Sequence, residues 1–416
     1  MVGVVGRRRL DAVSRLVAWL ISFGLVAPAS AQEHDHAHMN TGTSSGWHLM
    51  QDAIVFAAFN RQGGDRGGSE LVAPNWWMGM ADRETPRGRV TLTGMFSLEQ
   101  ALVGRDGYRE IFQVGETLDG KPLVDRQHPH DFAMQLAASW RIPLTDRAGF
   151  SVTGALAGEP ALGPTAFMHR ASAWDNPTAP LGHHTFDSTH ISFGVITVAL
   201  DRPRWTVEGS VFNGREPDDR RWNFDFGRLD SFSGRVWFRP AAEWELQVST
   251  GRLKDPEALE PGNVVRSTAS VGWTRASAGS LSAVTAAYGR NDREHGTRSA
   301  ALIEAARQAG LTTLYGRFEG LQVETALLQT RQLAEGPADL TDSVYTFTVG
   351  AVRDVFRHAG VDGGFGGDVV VAVAPDSLKA AYGASPVSFH FFFRLRPSTG
   401  VEKGMLNMRM GQPMHH

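Results

Sequence analysis

The 416-residue chain contains no cysteine. That excludes a disulfide scaffold, thiolate metal sites, cysteine nucleophiles and a lipid-modified cysteine anchor. It also lacks a large excess of either charge. The 41 Lys and Arg stand against 44 Asp and Glu, a formal −3, which argues against a general nucleic-acid binder. Beyond residue 31 no apolar run is long enough for a membrane-spanning helix. No Gly-rich phosphate loop precedes a helix, and the Gly63-Gly64 and Gly67-Gly68 pairs around Asp65-Arg66 read as a turn.

The N-terminus has the pattern of an export signal. Arg7, Arg8 and Arg9 precede an apolar run from Leu16 through Val26, and Ala29-Ser30-Ala31 supplies a small-residue cleavage site before Gln32. Four of the basic residues and one acidic residue leave with residues 1–31, so the mature chain carries −6. Residues 32–46 then read as a flexible His-rich leader, 47–396 as the folded body, and 397–416 as a Met- and His-containing tail.

The body alternates apolar and polar residues with period two, between clusters of Gly, Pro, Asp and Asn. In Arg204–Asn213, Val207 and Val211 oppose Thr206, Glu208 and Ser210; in Ser231–Arg239, Phe232, Val236 and Phe238 oppose Arg235. A lipid face and a wet lumen explain such charged rows better than a dry sandwich core does. Short gaps such as 83–87, 143–147 and 201–203 take turns with long ones such as 100–130, 159–187 and 214–230. This pattern predicts sixteen strands from 47–60 to 387–396, including 69–82, 131–142, 188–200, 297–308 and 311–330. Residues 297–308 also admit a helical reading, which would break the even count. Sixteen strands lie in the range that leaves an aqueous channel. Trp76, Trp77, Trp140, Trp205, Trp237, Trp244 and Trp273 fall mostly near strand ends, where interfacial girdles sit.

This organisation resembles that of Gram-negative outer-membrane β-barrels of porin-like size. The segments Asn75-Trp76-Trp77-Met78-Gly79-Met80, Gln127-His128-Pro129-His130-Asp131-Phe132 and Gly182-His183-His184-Thr185-Phe186-Asp187-Ser188-Thr189-His190 look like those of an uncharacterised exported family. The resemblance implies an all-β transmembrane antiparallel barrel in the outer membrane, inserted by the barrel-assembly machinery among outer-membrane lipid. It implies a channel for small polar or ionic solutes and admits a homo-oligomer. Arg141, Glu208, Arg235, Glu243, Glu245 and Glu324 are the expected lumen charges. One departure from the pattern is a 20-residue tail after the last aromatic-rich strand.

Chemistry, where present, lies in the histidines. His128, His130 and Asp131 stand at the top of one expected strand; His183, His184, Asp187 and His190 stand at another, with His169 between the two groups. Imidazole with carboxylate suits a Cu or Zn ion, which would link the pore to transition-metal transport or tolerance. His34, His36, His38 and Met39 in the leader form an accessory candidate. The same residues also serve as hydrogen-bonding locks in polar loops without any metal. A hydrolase would draw on Ser188, His190 and Asp187 or Asp131, but no nucleophile elbow surrounds them.

Overall fold

The computed structural model describes residues 46–258, 262–277, 279–294, 296–330, 341–398 and 407. The expected signal segment, nearly all of the expected leader with His34, His36, His38 and Met39, and most of the expected tail lie outside these residues. Among them, no helix is long and apolar enough to cross a membrane.

Alternating segments pair in sequence order into one closed antiparallel barrel. Its strands are β1 (His48–Gln62), β2 (Gly68–Val72 continued by Asn75–Thr85), β3 (Gly88–Phe96) and β4 (Ala133–Thr145). Next come β5 (Ala148–Gly158), β6 (Ser192–Arg202), β7 (Trp205–Phe212) and β8 (Ser231–Phe238). The second half runs through β9 (Trp244–Leu253), β10 (Val264–Ser277), β11 (Ser280–Arg293) and β12 (Gly296–Ala309). It ends with β13 (Thr312–Glu324), β14 (Thr341–His358), β15 (Val361–Val373) and β16 (Val387–Pro397). Pairing of β16 with β1, Phe393 opposite Ala57, closes the cylinder and leaves no sheet edge. The aromatic-rich strand is thus the closing strand, with the tail following it.

Several sequence expectations are corrected by local chemistry. The 69–82 strand is interrupted at Ala73-Pro74, because proline cannot donate to the ladder. Residues 188–190 form a 3₁₀ turn rather than the start of β6, and 325–330 are helical rather than strand. Residues 297–308 are strand, which preserves the even count. Trp77, Trp140 and Trp244 face outward as expected, whereas Trp237 is buried in the lumen, its Nε1 donating to Glu208 at 2.8 Å. Trp76 also faces inward.

The exterior is apolar. Val207, Val211, Phe232, Val236 and Phe238 all point out with more than a third of their surface exposed, which only lipid or a partner can shield favourably. The interior faces carry Thr206, Glu208, Ser210 and Arg235, all buried. They are buried because the lumen is filled. Residues 159–191, the β5–β6 connection, fold into the barrel, and none of these 33 residues is exposed. Close backbone approach makes room for this plug: a Cβ on Gly289 of β11 would lie 2.4 Å from the Thr185 carbonyl oxygen.

Candidate functional site: a polar plug and its histidine cluster

The plug is tied to the wall by apolar packing, Met168, Leu181 and Phe186 among it, and by buried ion pairs. Arg170 Nε donates to Glu304 at 2.6 Å, and Arg170 Nη1 donates to Asp187 at 3.2 Å. Ser172 Oγ donates to the same Glu304 at 2.8 Å, and Arg317 joins that carboxylate at 3.3 Å. Asp175 accepts from Arg394 and lies 3.4 Å from Arg396, whose guanidinium stacks 3.9 Å from the Trp174 ring centre. At the plug's start, Glu159 accepts from Arg235 at 2.5 Å while Arg235 also donates to Glu208 at 2.7 Å. Burial pushes the Glu159 carboxyl up to about 7, against the lowering pull of Arg235. Two cavities beside the plug measure about 40 and 30 Å³, room for two or three waters each.

The expected lumen charges divide accordingly. Glu208 and Arg235 are wall residues paired as above. Glu324 is also buried and pairs with Arg298. Arg141 pairs with Asp201 at 2.6 Å, and Glu245 pairs with Arg239 at 3.0 Å. Glu243 is different: it lies in the exposed turn before β9, where the strand register has not yet begun.

A second long connection, 97–132 between β3 and β4, brings His128 and His130 inward. His128, His183 and His184 converge, with ligand atoms within 4.8 Å of one another. His183 and His184 sit on the short helix α1 (His183–Phe186), their ring centres 4.1 Å apart, and the His128 ring lies 5.6 Å from His183. The sequence pattern missed two carboxylates that complete the cluster. Glu116 Oε1 is 3.0 Å from His128 Nδ1 and 4.0 Å from His184 Nε2; Glu216, from the β7–β8 loop, is 3.5 Å from His184 Nδ1. No periodic pattern could have marked either, since each is an isolated acid in an irregular loop.

Burial, reinforced by Arg221 and the neighbouring histidines, holds His128 well below the ordinary imidazole range, and burial does the same to His183. His184 is the exception. Burial opposes its protonation, but Glu216 and Glu116 outweigh it and raise His184 to about 9. Burial pushes Glu116 up to about 7 despite Arg221, 3.3 Å away.

The remaining candidates are drawn into other contacts. His130 Nδ1 is 2.8 Å from Glu99, and Asp131 is held by Arg221 at 3.1 Å. Asp187 is occupied by Arg170 and by the Phe167 amide at 3.2 Å. His190 Nδ1 donates to the Asp187 carbonyl at 2.7 Å, and the His169 ring packs 5.1 Å from Trp76. These five therefore stand outside the three-histidine cluster. The hydrolase residues form no relay: Ser188 Oγ accepts from Arg266 at 2.8 Å and is not bonded to His190.

Solved structures share the barrel. OprB of Pseudomonas putida, in its high-pH structure, matches with a TM-score of 0.51 at 9% identity, over 85% of this chain and 94% of that one. An anion-selective porin from Comamonas acidovorans matches with a TM-score of 0.50 at 9% identity, over 84% of this chain and all of that one. This likeness shows a common β-barrel fold. No family model and no curated protein matches the chain.

Proposed function

We propose that the protein is a porin-like outer-membrane barrel that passes small polar or ionic solutes when its plug shifts, and that it rests closed. The supporting observation is the 33-residue plug without one exposed residue inside a closed sixteen-stranded wall. Sixteen strands enclose a lumen wide enough for water, and here protein occupies it. The contacts that hold the plug are those that water and ions compete for: Arg170–Glu304, Asp175–Arg394 and Glu159–Arg235. The apolar exterior and the paired, edgeless wall suit a bilayer, and the first strand begins and the last strand ends on the short-turn side expected to face the periplasm.

Ion flux into proteoliposomes tests the reading. The mature chain is expected to admit small ions slowly, and Glu304→Ala, which removes the carboxylate that Arg170 and Arg317 share, is expected to raise that flux at least tenfold. Equal flux through both proteins at the level of protein-free vesicles would overturn it.

A further inference from the structure

We propose that His128, His183 and His184, with Glu116 as a fourth donor, bind one divalent transition-metal ion of the zinc–copper class. That ion would clasp the β3–β4 loop to the plug. Three donors come from two separate connections, 97–132 and 159–191, which the ion would tie together. Tetrahedral zinc with bonds of about 2.0–2.1 Å sets its donors about 3.3 Å apart. The three histidine ligand atoms already lie within 4.8 Å of one another, and Glu116, 3.0 Å from His128 and 4.0 Å from His184, would close on them as the ion binds.

The second observation is independent of proximity. Both ring nitrogens of His183 are buried without a protein hydrogen-bond partner, and those of His184 have only the longer carboxylate contacts, Glu216 at 3.5 Å and Glu116 at 4.0 Å. Leaving a buried polar group unpaired costs about 1–3 kcal/mol, so the two ring nitrogens of His183 favour a ligand between them and their neighbours. Imidazole accepts no apolar substitute for that role, and a metal ion satisfies one nitrogen of each ring at once. Glu216, on the far side of His184 at 3.5 Å, is placed to hold the remaining ring nitrogen, the outer-shell support that metal-bound histidines usually receive. Arg221 opposes the site by its charge and holds Glu116 Oε2 at 3.3 Å, but Asp131 at 3.1 Å shares that charge and Glu116 Oε1 still faces the histidines. His128 and His184 retain 8% and 9% exposure, so the cluster lies near the accessible surface.

The test is a Co²⁺ titration of the mature chain in detergent micelles, with His34, His36 and His38 changed to Gln so that the leader cannot contribute. One Co²⁺ per chain with the visible absorption of tetrahedral cobalt is expected, displaced by Zn²⁺ and absent from the additional His128→Asn, His183→Gln variant. Zinc-edge X-ray absorption on the site-intact protein, which needs no change in the cluster, should show about three imidazoles and one further oxygen. No cobalt band, a band that survives the double substitution, or a zinc shell without imidazole would each overturn the site. None of these readouts depends on conduction, so a barrel that never conducts would sink the pore reading and leave this one standing.

Discussion

Burial without any polar partner pushes His169 down to about 4. The folded protein therefore refuses a proton that the unfolded chain accepts below about pH 6.5. No stability is lost through this group above that pH. Between 6.5 and about 4 it is lost at about 1.4 kcal/mol per pH unit. Glu116 and Glu159, both raised to about 7, work in the opposite sense, because the folded state protonates them first. The share of His169 is thus read as a difference. In metal-free buffer, the urea midpoint of His169→Phe is expected to gain on the wild-type chain as pH falls from 6.5 to 4; parallel profiles would contradict this. At this scale the sequence was partly legible. His128, His183 and His184 stood out, together with His130, His169 and His190, because the histidines gather with acids in two long loops. Asp131 and Asp187 looked like ligands, yet each is claimed by an arginine, Arg221 or Arg170, that only the fold brings near. Glu116 and Glu216 carried no signal at all.

Elements were read more faithfully than residues. Strands such as β7 and β8 alternate because one face meets lipid and the other the lumen, so period two survives even where the lumen is filled. The plug offers no such regularity. Its shape depends on contacts across great sequence distances, Arg170 with Glu304 and Asp175 with Arg394, which no local pattern encodes. The same contacts make the plug separable from the wall. Asp175→Ala removes the carboxylate between two buried guanidiniums, a loss of about 3–5 kcal/mol for a buried pair broken on one side. Asp354 still holds Arg394 on β16, so the wall should persist. Hydrogen exchange is expected to quicken within 159–191 and to stay slow in β15 and β16. Uniform acceleration would mean that plug and wall unfold as one unit. Asn407, beyond the last strand, joins the same element: its amide donates to the His169 carbonyl at 2.8 Å and its side chain donates to Thr274 at 2.9 Å. The tail therefore reaches the plug at this residue.

At the scale of the whole molecule, parity and closure were legible. An even number of strands returns both ends to one side, and the short and long connections alternate as that requires. What strand counting could not show was the state of the lumen. Sixteen strands set the room available, and the two long connections decide how it is used. Single-channel recording in planar bilayers tests the central claim most directly, comparing the mature chain with a variant whose residues 160–190 are replaced by a short Gly/Ser linker. Closed behaviour with rare, small openings in the mature chain and large, steady steps in the linker variant are expected. Steady wide conductance in the mature chain, or silence in a linker variant that still folds and inserts, would contradict a pore held shut by its own plug.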